Sequence, residues 1–212
     1  MNGLFITFEG TEGSGKSTQI NLTSKWLRAQ GREVITLREP GGTPIGEEIR
    51  HLLKHSDANH DMTSEAELLL MNASRAQLVR EVIQPALAAG KVVLCDRFHD
   101  STVVYQGHGR GLDAGAVRSV IDFAVGDCQP QLTLLLLVPI AVSEARRASR
   151  ESEQGAQRDR FEEAERDFFE RVEQGYLALA EAEPDRVETI DATGSIDGIQ
   201  RRIRELIGGR FQ

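Results

Sequence analysis

The chain has 212 residues, of which 40% are apolar and 27% charged, a balance that supports one folded domain and excludes a disordered chain. A formal net charge of −8 argues against a general nucleic-acid binder, and the longest apolar run, residues 134–142, is far too short to cross a bilayer. Two cysteines, Cys95 and Cys128, are too few for a disulfide scaffold or a zinc cluster, and the first residues carry no basic leader. The expected setting is therefore reducing and cytoplasmic, with no membrane and no nucleic-acid partner.

Leu4–Phe8 reads as a buried strand. Residues 17–30 place Ile20, Thr23, Ser24 and Leu27 on one helical side, with Gly31 as the stop. Val34–Leu37 is a second strand, ended by Arg38-Glu-Pro-Gly-Gly42. Residues 45–54 form a short helix. Ser64 with Glu67 reads as a capping box opening the next helix, on which Leu68, Met71, Asn72 and Arg75 share a face. Helical pattern continues over 77–89, where Pro85 should kink the chain or begin a new turn. Val92–Cys95 is a third strand, 100–106 is helical, and Gly107–Gly111 reads as a glycine-rich loop. Asp113 caps a helix to Val125, and Leu132–Val138 is a fourth strand. Residues 140–150 form a helix that turns basic, 151–160 a polar loop, and 161–182 a long helix with an aromatic stripe. Val187–Ile190 and Ile196–Ile207 supply the last strand and helix. Strands alternating with helices predict an α/β chain: a parallel five-stranded sheet with helices on both faces in three layers. The five histidines make no metal cluster by spacing. His51 and His55 read as an exposed helix face, and His108 as a solvent-facing loop residue.

Chemistry enters at Gly10-Thr11-Glu12-Gly13-Ser14-Gly15-Lys16-Ser17, which satisfies G-x-x-x-x-G-K-[ST] between a predicted strand and a predicted helix. Backbone N–H groups of such a loop curl around phosphate, and the helix N-terminus adds its dipole. Lys16 reaches β/γ oxygens and Ser17 can ligate Mg²⁺. Thr18 completes the ATP-binding stretch. No Asn-Lys-x-Asp guanine reader is present, so a GTPase is disfavoured. Arg38 and Arg97 each follow a strand, where open α/β sheets bind ligands, and Arg146, Arg147 and Arg150 cluster on the basic helix. Cations at a second anion site suit phosphoryl transfer between two nucleotides.

Arg38-Glu-Pro-Gly-Gly42, Asp96-Arg97-Phe98, Tyr105-Gln106-Gly107 with Gly109-Arg110-Gly111, and Asp159-Arg160-Phe161-Glu162, in this order behind the P-loop, resemble bacterial thymidylate (dTMP) kinase. The resemblance runs over essentially the whole chain. It implies a P-loop kinase domain over 1–212 with a small mobile lid near 150–160, Mg²⁺ with ATP as donor, dTMP as acceptor, and pairing into a homodimer. Arg38 and Arg97 would hold the dTMP phosphate, Arg75 the thymine edge, and Glu12 the deoxyribose 3′-OH. Tyr105 would lie beneath the sugar, with Pro40, Met71, Asn72, Ser101, Thr102 and Gln106 in the same site. Asp96 would support Mg²⁺ directly or through water. Arg146 would join the ATP side, and Arg150, Arg158 and Arg160 would be lid-borne catalytic cations, since no arginine lies between the P-loop glycines.

Three departures from the family pattern stand out. Neither Met71 nor Asn72 is the aromatic that relatives often stack on thymine. Leu137 stands where many carry Asp, and His108 interrupts a glycine run. The phosphate machinery is untouched, while base choice is open. A kinase for dUMP or a modified deoxynucleotide, or a P-loop module that hydrolyses ATP to change partners, therefore remain alternatives at this stage.

Overall fold

The structure is a computed structural model that describes residues 3–56, 59–154, 160–161 and 166–211. Five parallel strands, β1 (Leu4–Glu9), β2 (Val34–Arg38), β3 (Val92–Asp96), β4 (Leu132–Leu137) and β5 (Val187–Asp191), are ordered β2-β3-β1-β4-β5. Their near-continuous apolar sequences reflect burial on both faces. On one face, alternate residues Leu4, Ile6, Phe8, Leu132, Leu134 and Leu136 pack against helix α1 (Lys16–Ala29) and the last helix (Ile196–Arg210). On the other, Phe5, Val93 and Cys95 pack against α3 (Ser64–Leu78) and the helix Ala114–Val125, while Leu135 and Val187 meet the helix Arg166–Ala182. The polar interruption at Thr7 is satisfied by Thr133, whose hydroxyl is 2.8 Å away across the strand pair. Among the described residues no helix is long and apolar enough to cross a membrane.

In chain order the remaining helices are α2 (Pro44–Lys54), α4 (Gln84–Ala88), α5 (His99–Thr102), α6 (Ala114–Val125), α7 (Ile140–Gln154), α8 (Arg166–Ala182) and α9 (Ile196–Arg210). Three expectations are corrected. The cap of α3 is Thr63, whose side chain accepts from Ala66 N, and Glu67 does not close a capping box: it is fully buried as a counter-ion. Pro85 begins a new turn, as expected: a wide π turn over Val79–Ile83 immediately precedes α4, in whose first turn the proline lies. Residues Gly107 and Gly109 are not loop: a π-helical segment spans Val103–Gly109. Close packing requires Gly109, where a Cβ would lie 2.6 Å from the Phe168 ring, and Gly175, where one would lie 2.9 Å from His108. Finally, α7 continues through Gln154, beyond the expected boundary at 150, and α8 begins at Arg166 with Phe161 in a preceding turn. The aromatic stripe is core as expected, with Phe161, Phe168, Phe169, Val172, Tyr176 and Leu179 all buried. His51 and His55 are exposed and Cys95 is buried, also as expected; His108 is exposed too, but on the π-helical segment and not in a loop. Cys128 is a buried loop thiol, pushed up to about 11 by burial.

Candidate active site

Register places the carboxyl ends of β1, β2 and β3 side by side, with Phe8 and Arg38 both opposite Asp96. The loop leaving β1 turns at once into α1. Gly10 is obligatory there: at φ 129°, a Cβ would lie 2.3 Å from the Leu136 carbonyl. Gly15 occupies the N-cap of α1 with no side-chain cap, so the first-turn N–H groups are left for an anion. Lys16 Nζ donates to the carbonyls of Gly10 and Thr11, both at 2.9 Å, and lies 3.4 Å from Ser14 Oγ. Burial, and then repulsion from Arg97, lower the Lys16 ammonium to about 8. Thr18 is exposed on the same turn.

Ser17 Oγ donates to Asp96 Oδ2 at 2.9 Å, bringing together the two residues expected at a metal. Among the described residues no group of three or more His, Cys, Asp or Glu could hold an ion. A hydroxyl and a carboxylate are hard oxygen donors, and the pair fits a cation such as Mg²⁺ that takes its other ligands from nucleotide and water.

Arg97 follows β3 with φ 70°, a conformation unusual for a residue with a side chain. Its Nη2 donates to Glu12 Oε1 at 2.6 Å and to the Tyr105 hydroxyl at 3.1 Å; Nη1 donates to Ser101 Oγ and the Tyr176 hydroxyl, both at 3.1 Å. Tyr105 also donates to Glu12, at 2.9 Å. Burial alone would raise the Glu12 carboxyl, but Arg97, then Lys16 and Lys54, outweigh it and hold Glu12 at about 2. Glu12 therefore carries its charge at all working pH values and can accept a hydroxyl.

A cleft beside this cluster is lined by Glu12, Glu39, Pro40, Lys54, Met71, Arg75, Arg97, Ser101, Thr102, Tyr105, Gln106 and Phe161. It gathers most of the residues expected at an acceptor nucleotide. Two are outside the lining. Arg38 is about half exposed and held in a fork by Glu47, with both bonds at 2.9 Å. Asn72 is buried behind the cleft: its amide donates to Leu68 O at 2.8 Å and its oxygen accepts from Arg75 Nη1 at 2.9 Å. Arg75 is itself 2% exposed, and Glu39, Asn72, Thr102 Oγ1 and Phe98 O occupy its donors. It faces the cleft as a rigid, saturated plane, so a base edge bonds to it only by exchange with one of these partners. Because Met71 and not Asn72 meets the cleft, Met71→Phe is expected to tighten binding of a pyrimidine nucleotide by a few-fold, about 0.5–1 kcal/mol of ring stacking. Asn72→Phe is expected to lower the melting temperature by stripping Arg75 of a partner. Calorimetric titration with thermal melting checks both.

Arg146 of α7 bridges the P-loop and the chain after β5, donating to Gly13 O and Ala192 O, both at 3.1 Å. Ala192, just after β5, is thereby tied to the P-loop side, a link that sequence periodicity did not indicate. Arg147 stacks on Phe169, 4.6 Å from the ring centroid. Arg160 pairs with Glu67, which also accepts from Gln106 at 2.7 Å and Arg110 at 3.0 Å, so this expected lid cation is anchored to α3 in this structure. Arg150 falls on α7, and its side chain and Arg158 lie outside the described residues. Lys54, Tyr176 and Glu9 are site residues outside the motifs, and Glu39 and Phe161 lie within two of them without having been given a role.

A family model described as Thymidylate kinase matches residues 8–203. Thymidylate kinase of Chlorobium luteolum is 45% identical over 213 residues, 99% of each chain. That of Geobacter sulfurreducens is 47% identical over 209 residues, 98% of each. The crystal structure of thymidylate kinase from Ehrlichia chaffeensis superposes with a TM-score of 0.77 at 30% identity, covering 98% of this chain and 99% of that one. With the P-loop, the strand-end arginines and the parallel five-stranded sheet of this chain, these matches show that it belongs to the thymidylate kinase family.

Proposed function

We propose a division of labour among these residues for the phosphorylation of dTMP to dTDP, the reaction that family membership brings to this chain. The observation that carries it is the contact between Arg97 and Glu12, which joins the strand-end cation to the P-loop at 2.6 Å. Two anion sites then share one wall, as transfer between two nucleotides requires.

On the donor side, the first-turn N–H groups, Lys16, Ser17 and Thr18 take the ATP phosphates, and Arg146 braces the loop. Ser17, with Asp96 directly or through water, would hold Mg²⁺, which would supply charge neutralisation at the phosphate oxygens. On the acceptor side, Arg97 takes the dTMP phosphate, and Arg38 joins it by exchanging Glu47 for that anion. Glu12 accepts the 3′-OH, Tyr105 underlies the sugar, and Met71, Arg75, Thr102 and Gln106 surround the base. A dTMP phosphate oxygen bonds to the γ-phosphorus as the bond to the β–γ bridging oxygen breaks, leaving ADP. That nucleophile is already ionised near neutrality, so cations and alignment are needed and a strong base is not. The segment near 150–160, with Arg150, Arg158 and Arg160, acts as a lid within one domain over 1–212, excluding water from the γ-phosphate. Leu69 of α3 and Phe123 of α6, 57% and 86% exposed, mark the face on which two copies pair into a homodimer. The enzyme works in the cytoplasm.

The test is a coupled assay of ADP formation with ATP and Mg²⁺ across the nucleoside monophosphates. The expected result is slow turnover alone and strong stimulation by dTMP above all others. Preference for dUMP, or an ATPase indifferent to every acceptor, counts against the assignment.

A pH signature follows from Lys16. Its ammonium loses its proton near pH 8 before ATP binds, and phosphate charge raises that value in the complex. Above about pH 8 ATP binding must therefore take up a proton, and affinity should fall by up to about tenfold per pH unit. Below that value this group contributes no pH dependence. Titration calorimetry at pH 7 and 9 in buffers of different ionisation enthalpy checks the proton count, and Lys16→Met should abolish the uptake.

A further inference from the structure

We propose that Glu9 and Tyr176 are positioning residues for Arg97, setting the angle at which its guanidinium meets the acceptor phosphate. Glu9 ends β1 and is fully buried. One of its oxygens, Oε1, accepts from the backbone N–H of Phe98 at 2.8 Å. That bond fixes the peptide that leaves Arg97 in its left-handed conformation, while Arg97 N donates to Phe8 O at 3.0 Å on the other side. The second oxygen, Oε2, accepts from Ser101 Oγ at 2.6 Å and from the Tyr176 hydroxyl at 2.9 Å.

Those two hydroxyls are the acceptors of Arg97 Nη1. A hydroxyl that gives its proton to a buried carboxylate must turn its lone pairs elsewhere, here toward the guanidinium. One carboxylate therefore fixes the backbone of Arg97 and aims both groups that hold its inner edge. The carboxylate itself stays 4.0 Å from Nη1, close enough to support the charge without consuming a donor. The outer edge, Nη2, is the one shared with Glu12 and Tyr105 of the cleft. The periodicity of α8 accounts for the Tyr176 ring as core, but phenylalanine would fill that role equally. The hydroxyl, deep in the core with partners on β1 and after β3, is what the packing leaves unexplained.

The inference rests on the reading of Arg97 as the phosphate-holding residue, and its test separates the two. Tyr176→Phe keeps the ring and removes only the hydroxyl. Calorimetric titration is run with dTMP, with thymidine (which lacks the phosphate), and with the Mg²⁺ complex of a non-hydrolysable ATP analogue. The expected result is about tenfold weaker dTMP binding, with thymidine and analogue affinities within about twofold. In an Arg97→Ala background the same substitution should add less than about twofold, since the group being positioned is gone. Equal losses for thymidine and dTMP, an unchanged dTMP affinity, or full additivity with Arg97→Ala would each overturn the positioning role. Unimpaired dTMP binding in Arg97→Ala alone would instead overturn the reading of Arg97 itself.

Discussion

Arg97→Ala is expected to lower kcat/KM for dTMP by about 10³-fold, roughly 4 kcal/mol of transition-state stabilisation, while KM for ATP changes by no more than a few-fold. Three features support so large an effect. Arg97 is mostly buried, where a cation acts with little solvent screening, and its side chain is only 15% exposed. Its fork is held on both edges, so little reorganisation is needed when phosphate arrives. Arg38, the other cation assigned to the acceptor phosphate, reaches it only by giving up its fork to Glu47, so its gain there is offset by the bonds it loses. Stability should fall as well, since Glu12 loses its strongest partner. Arg97→Lys, which retains charge but not the planar fork, should recover stability better than activity. Steady-state kinetics with each substrate varied, alongside thermal melting, checks this. A mutant impaired equally toward both substrates would contradict the assignment to the acceptor side.

Lys16→Ala should reduce kcat by about 10³-fold or more, with the fold intact. Gly10–Ser17 carries no other cation, so nothing in the loop replaces its charge at the β/γ oxygens. Its structural contribution is small by comparison. The hydrogen bonds it makes are to loop carbonyls, and burial of its ammonium beside Arg97 is unfavourable, which is why its value falls to about 8. A melting temperature within a few degrees of the parent, with kcat nearly gone, is the expected pair of results. Near-normal turnover would contradict its role.

The motifs carried much of this because P-loop mechanics and strand-end cations are local properties. Gly10, Lys16 and Ser17 had to lie between a strand and a helix, and uninterrupted apolar runs had to be parallel, doubly covered strands. What escaped was pairing across long separations. Arg75 reads as a base-binding fork on its own helix, yet its charge is absorbed by Glu39, 36 residues away. Glu67 sits at the spacing of a capping box, but burial beside Arg110 made it a counter-ion instead. Periodicity places Asn72 and Met71 on one face without saying which reaches the cleft. Glycines over 107–111 signal a turn by composition, whereas Gly109 leaves its space to the Phe168 ring of α8. Tyr176 was legible as an apolar stripe residue; the direction of one hydroxyl is not written in a stripe.

The most direct measurement is titration of dTMP into protein already saturated with Mg²⁺ and a non-hydrolysable ATP analogue. Donor and acceptor nucleotides held at once predict one dTMP per chain, bound without displacing the analogue. Mutual exclusion of the two compounds, each competing the other away, would contradict the account.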